Sequence, residues 1–107
     1  MPVYKTNGSA VLTIGVNNQG VCLGATQQAN RVDIQALPTN VGLIYVGDGS
    51  VQQNGSNGGV ALGVSKNGQG LNVGDVYSIE MITSLVGIFI NGAAGDGVSI
   101  NWWIGSQ

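Results

Sequence analysis

Apolar residues recur at every second position through much of this chain. A period of two places successive side chains on opposite faces of a β-strand, whereas a helix requires a period of 3.6. The pattern is clearest at Val32, Ile34 and Ala36, which alternate with polar residues over 31–36. The same alternation predicts apolar strand faces made of Ala10, Leu12, Ile14 and Val16; of Val60, Leu62 and Val64; of Tyr77, Ile79 and Met81; and of Val98, Ile100, Trp102 and Ile104.

Two further segments, residues 43–46 and 85–90, are apolar at consecutive positions. A strand that is apolar on both faces is covered on both sides. We therefore expect the protein core on one side of these segments and a second cover on the other, which could be a partner subunit. The longest uncharged apolar run, residues 81–90, is too short to span a membrane and is predicted to be a buried strand.

The dipeptide Asn-Gly marks the predicted turns, at residues 7–8, 54–55, 57–58, 67–68 and 91–92. Both of its residues tolerate positive φ, so it favours tight connections between strands. About eight short strands separated by such turns are typical of an antiparallel sandwich or small barrel. We predict one all-β domain over residues 1–107, a jelly-roll-like β-sandwich or small β-barrel.

Residues 51–59 are rich in Asn, Gln, Ser and Gly and contain no apolar alternation. A segment of this composition is predicted to be an exposed, mobile loop, and not a linker between domains, because apolar alternation resumes directly after it.

Charge and composition exclude several classes of function. The 107 residues include three Lys or Arg and five Asp or Glu, with a net charge of −2. Three basic side chains cannot neutralise several phosphates, so we expect no nucleic-acid binding. The chain has no histidine and one cysteine, Cys22, which excludes Ser-His-Asp and Cys-His catalysis and a zinc site. Cys22 is expected to be a small, half-buried hydrophobic residue.

The five carboxylates are not arranged for catalysis or for metal binding. Asp75 and Glu80 fall on opposite faces of one predicted strand, and Asp33 faces outward. Asp48 and Asp96 lie in glycine-rich turns, where an aspartate accepts hydrogen bonds from its own backbone. A glycosidase needs two facing carboxylates, and calcium needs about six to eight oxygen ligands. We therefore predict a protein that is not an enzyme, without cofactor or metal.

The two adjacent tryptophans have different expected roles. Trp102 shares the predicted core face of its strand, whereas Trp103 points to the other side. Trp103 could pack under the N-terminal segment or a loop, be covered by another subunit, or be offered to a ligand such as a sugar ring.

A family resemblance rests on the glycine turns and the aliphatic strands. Residues 43–49 read Leu-Ile-Tyr-Val-Gly-Asp-Gly, residues 67–75 combine Asn-Gly-Gln-Gly-Leu with Val-Gly-Asp, and residues 88–95 read Ile-Phe-Ile-Asn-Gly-Ala-Ala-Gly before Val-Ser-Ile at 98–100. This order resembles a small β-module of tailed-bacteriophage virion structural proteins, which include capsid decoration (cement) proteins and head or tail fibres. The module-like core spans residues 43–104, and residues 1–40 carry no part of the resemblance.

The resemblance implies a capsid decoration protein that binds the major capsid protein on the outer surface of a phage head as a homotrimer. Such a protein is made in the host cytoplasm and ends in the virion. Trp103, Tyr45 and Phe89 are the candidate interface residues.

Two other functions stay open at this point. One is a receptor- or carbohydrate-binding module of a fibre or tail, which would use Trp103, Tyr45 or the 51–59 loop. The other is a secreted adhesin or lectin. That second function would require a signal peptide, and the first residues show no basic segment followed by an apolar one.

The scarcity of charge leads to a first prediction. Exposed ion pairs contribute only about 0–1 kcal/mol each, so electrostatics cannot dominate association of this chain. We expect self-association and capsid binding to change little between low and physiological ionic strength, as measured by light scattering and cosedimentation. Dissociation on adding physiological salt would contradict this prediction.

Overall fold

The computed structural model describes residues 3–54, 56, 60–62 and 76–106. These residues contain no helix, and their strands all pair antiparallel, so the predicted all-β class is confirmed. The strands, numbered in chain order, are β1 (Val3–Thr13), β2 (Val21–Cys22), β3 (Arg31–Ala36), β4 (Ile44–Gly47), β5 (Val60–Leu62), β6 (Val76–Glu80), β7 (Phe89–Asn91) and β8 (Gly97–Ser106).

The strands form two four-stranded sheets. Sheet I has the order β1-β8-β3-β6 and sheet II has the order β2-β7-β4-β5. The strands pair from the two ends of the chain inward, β1 with β8, β2 with β7, β3 with β6 and β4 with β5. The pairs β1-β8 and β3-β6 lie in sheet I, where β3 also pairs with β8. The pairs β2-β7 and β4-β5 lie in sheet II, where β4 also pairs with β7. A long hairpin folded over itself into two sheets is a jelly roll.

The core lies between the two sheets and consists of aliphatic side chains from both. Each of the following is at most 3% exposed: Val32, Ile34, Val98 and Ile100 of sheet I, and Ile44, Val46, Leu62 and Ile90 of sheet II. Burial of one such side chain contributes about 1.5–3 kcal/mol. In β3 the predicted alternation is complete, since every second residue is buried and the others are half-buried.

Strand β1 differs from its prediction at both ends. It begins at Val3, so the Asn-Gly pair at 7–8 lies inside the strand and forms no turn. The register with β8 shifts between Thr6 and Gly8, which marks a β-bulge. Val16 was expected on the core face, but β1 ends at Thr13 and Val16 is 63% exposed.

Residues 81–90 do not form the predicted buried strand, since β7 begins only at Phe89. Met81, expected on the core face, is 95% exposed and has a φ of 60°. Leu85 is fully buried although it lies in a turn, where its carbonyl accepts a 3.2 Å hydrogen bond from the Ile88 N–H. The apolar run therefore contributes a core side chain from a turn. The pattern of apolar residues alone cannot distinguish such a turn from an extended strand.

The remaining points concern strand β2, the Asn-Gly pair at 91–92 and the predictions that fall outside the described residues. Strand β2 has two residues and no alternation that could have predicted it. Its Cys22 is free and half-buried, as expected, and its Sγ lies 3.3 Å from the Val86 carbonyl oxygen. The Asn-Gly pair at 91–92 ends β7 and leads into the other sheet, so it is not a hairpin turn. The predictions for Val64, for Asp75, for Gly55 and for the Asn-Gly pairs at 57–58 and 67–68 lie outside the described residues.

Two buried polar side chains fix the start of β8. Asp96 accepts hydrogen bonds from the backbone N–H groups of Val41 at 2.8 Å and Gly42 at 2.9 Å. Its side chain was expected to bond within its own turn, and that expectation is wrong. Asn40 bonds both backbone groups of Gly97, accepting from its N–H at 2.8 Å and donating to its carbonyl at 2.9 Å. The segment around residue 41 is thereby tied to the strand that occupies the interior of sheet I.

The position of Gly97 generates a second prediction. A Cβ at this residue would overlap the Leu12 carbonyl oxygen and lie 3.0 Å from the Thr13 Cα, and neither backbone atom can rotate away. We expect Gly97→Ala to lower the free energy of unfolding by about 3 kcal/mol in urea denaturation.

The matched control is Gly87→Ala, because a Cβ at Gly87 would have no neighbour within 4 Å. This change should stay within about 0.5 kcal/mol of the parent chain. Equal stabilities for the two variants would contradict the close approach of β1 to β8.

Candidate functional site

The outer face of sheet I carries a cluster of charged side chains. The Arg31 Nε lies 3.2 Å from the Asp33 Oδ1, and its Nη1 lies 3.4 Å from the Glu80 Oε1. The side chains of Arg31 and Glu80 are 33% and 51% exposed, so solvent screens their pairing and it contributes little to stability.

Trp103 lies beside this charged cluster. The alternation of β8 places it on the outer face of sheet I, directly opposite Arg31 in the register of β3. The Arg31 guanidinium carbon is 5.3 Å from the centroid of the Trp103 ring, a cation–π distance. Trp102 points the other way, packs against the core and has a buried Nε1 without a hydrogen-bond partner within the described residues.

Tyr45 and Phe89 lie on the outer face of sheet II, on the opposite side of the sandwich from Trp103. Tyr45 is opposite Asn91 and Ala61, and Phe89 is opposite Gly47. Both aromatic side chains are half-buried. The structure therefore brings Tyr45 and Phe89 to one surface and leaves Trp103 on another.

The two outer faces differ in charge. None of the four strands of sheet II contains a charged residue, whereas the outward positions of β3 and β6 include Arg31, Asp33 and Glu80. Leu43, directly before β4, is 48% exposed and belongs by alternation to the outer face of sheet II. The second cover predicted for residues 43–46 is thus not supplied by the described part of this chain.

Two loops cover one end of the outer face of sheet II. A Cβ at Gly20 would lie 3.7 Å from the Phe89 ring and one at Gly49 would lie 3.6 Å from it, so both glycines pack on this ring. Val51 is 2% exposed, and its carbonyl accepts a 2.9 Å hydrogen bond from the buried Asn91 side chain. The prediction of an exposed loop over 51–59 is therefore wrong at its first residue.

An open cavity lies where these two loops meet. It has a volume of about 380 Å³ and is lined by Asn18, Gln52, Gln53 and Asn54. We call it the amide cavity, after the side-chain amides of all four residues. The sequence prediction included three of these residues within 51–59 but not Asn18, which lies 34 positions before Gln52. The only signal for Asn18 was the similar Asn and Gln composition of the two loops.

Few other chemically active groups come together in the described residues. They contain no cluster of three or more His, Cys, Asp or Glu side chains that could hold a metal ion. They also contain no helix that is long and apolar enough to cross a membrane.

No family model, no curated protein and no solved structure matches this chain.

Asp48, at the start of the loop that reaches the amide cavity, yields a third prediction. The Ser50 hydroxyl donates to the Asp48 Oδ1 at 2.5 Å and the Ser50 N–H at 2.8 Å. These bonds favour the ionised form, so they hold the pKa of the Asp48 carboxyl below the ordinary value for an aspartate.

Ser50→Ala should raise the pKa of Asp48 towards the ordinary value, because the hydroxyl is lost and only the N–H bond remains. An NMR titration of the side-chain carboxyl carbon measures this change. An unchanged pKa in the variant would show that the hydroxyl does not bond the carboxylate in solution.

Proposed function

We propose that this protein is a non-enzymatic virion structural protein, a capsid decoration protein that binds the outer surface of a bacteriophage head as a homotrimer. The observation that carries the proposal is the uncharged outer face of sheet II, which is apolar and incompletely covered. In the proposed assembly this face packs against neighbouring subunits and against the major capsid protein.

The exposure of individual side chains supports this surface as an interface. Leu43 is 48% exposed and Val41, just before it, is 80% exposed. Tyr45 is half-buried and its cross-strand neighbour Ala61 is exposed. The centres of protein interfaces are depleted in charged residues and enriched in aromatic ones, which is the composition found here.

The family resemblance supports the same surface. Its residues 43–49 include β4, and its residues 88–95 include β7. These are the two central strands of sheet II. The jelly roll is used by viral capsid domains and also by lectins, so the fold is compatible with the proposal without selecting it.

A fourth prediction tests the proposal through matched surface changes. Leu43→Glu introduces a charge into the proposed interface, at a side chain that is half exposed and so dispensable for the core. We expect this variant to lose the trimer mass in light scattering and to lose cosedimentation with undecorated phage heads. The control is Val76→Glu, because Val76 is 55% exposed on the outer face of sheet I. This control should keep both properties.

Trp103→Ala tests the other predicted interface residue in the same two assays. Loss of trimer mass or of head binding in this variant, with Leu43→Glu unaffected, would move the interface to the charged face of sheet I. A parent chain that stays at 10.9 kDa at micromolar concentration and does not bind heads would contradict the proposed function itself.

A further inference from the structure

The amide cavity is assembled before any ligand arrives. The Asn18 Nδ2 donates to the Gln52 Oε1 at 3.1 Å, and the Asn18 Oδ1 accepts from the Gln53 N–H at 2.8 Å. The Asn18 Oδ1 also lies 3.3 Å from the Nδ2 of Asn91, whose side chain is buried. One asparagine therefore joins both loops to the end of β7. Because these hydrogen bonds already hold the lining side chains in place, the binding of a ligand would cost the cavity little conformational entropy.

The backbone of Asn18 has a conformation that suits a turn. Its φ is 60°, in the left-handed region, which asparagine enters more readily than most residues other than glycine. From this turn the Asn18 side chain bonds both Gln52 and Gln53.

Unused hydrogen-bonding groups remain in the cavity. The side-chain amide of Gln53 makes no hydrogen bond with any described residue, although Gln53 is only half exposed. The Asn54 Oδ1 accepts from the Ser56 N–H at 3.0 Å, and the Asn54 amide nitrogen remains as a donor. A carboxamide offers both donors and acceptors without carrying a charge.

We propose that the amide cavity binds a neutral, polyhydroxylated ligand, that is, a carbohydrate. A hydroxyl group is both donor and acceptor, so it matches a wall of carboxamides. A charged ligand would meet no opposite charge among the four lining residues. An apolar ligand would remove the amides from water without replacing their hydrogen bonds. The volume of about 380 Å³ lies within the range of small-molecule sites.

A peptide is the main competing ligand, because its backbone also carries amide donors and acceptors. Peptide recognition in extended form uses a free sheet edge together with pockets for alternate side chains. The amide cavity is lined by loop residues, and none of its lining residues within the described part of the chain has an apolar side chain. The observations therefore favour hydroxyl groups over a peptide segment.

A fifth prediction tests this inference on the full chain labelled with ¹⁵N. Neutral hexose and N-acetylhexosamine disaccharides are titrated in one arm and purified bacterial surface polysaccharide in a second arm. We expect saturable shifts of the side-chain amide signals of Asn18, Gln52 and Gln53 in at least one arm. Binding in the first arm indicates a site for small free sugars, and binding in the second arm alone indicates recognition of a longer chain.

Gln53→Ala should weaken the binding about tenfold, because it removes one donor and one acceptor while breaking no hydrogen bond among the described residues. The control is Gln28→Ala, an exposed glutamine in the isolated bridge with Ser84 and away from the cavity. This control should bind as the parent does.

Three results would overturn the carbohydrate site. They are the absence of saturable shifts in both arms, shifts with a triglycine peptide alone, and equal binding by Gln53→Ala and the parent. The inference does not rest on the proposed capsid role, because all of these measurements use the isolated chain. Failure of carbohydrate binding would leave trimer formation and head binding to be decided separately.

Discussion

The fold depends on buried side chains that satisfy backbone groups at one end of the sandwich. Asn40 pairs with both backbone groups of Gly97, and Asp96 accepts from two N–H groups of the preceding loop. The two backbone groups of Gly97 are bonded in a buried position, and each would cost about 1–3 kcal/mol if left without a partner. Strand β8 begins at this point and lies between β1 and β3. These hydrogen bonds therefore hold the first residue of the strand that pairs with both β1 and β3.

The same kind of interaction connects the core to the surface. Asn91 ends a central strand of sheet II, is 1% exposed, and holds both Val51 and Asn18 through its side-chain nitrogen. The amide cavity is thus built on a buried side chain of the outer face of sheet II, where Asn91 lies opposite Tyr45. Beyond the cavity, the uncovered part of the outer face around Tyr45 carries no charge, while the charged groups near Trp103 lie on the other sheet. The amide cavity therefore lies at one end of the uncharged face of sheet II, and the charged cluster lies on the other sheet.

The sequence predicted best where burial is strictly one-sided. In β3 and in the buried residues of β8, alternation alone identified the inner face, because side chains on a strand must alternate in direction. It failed where a local preference was overridden by tertiary contacts. The Asn-Gly pair at 7–8 favours a turn, but pairing with β8 keeps it in a strand and absorbs it in a bulge. Leu85 is buried in the core although it lies in a turn, so the prediction of a strand over the apolar run around it is wrong.

The amino-acid sequence by itself determined the all-β class, the inner-face residues of the regular strands and the scarcity of charge, since these depend on local alternation and composition. It also offered Tyr45, Phe89 and Trp103 as interface candidates, but not the surface that each occupies. Only the tertiary structure decided that Trp103 lies across the sandwich from the other two, and that Asn18 meets Gln52 and Gln53. The physical reason is that jelly-roll pairing joins residues far apart in the chain, and no local pattern encodes which distant loops come together.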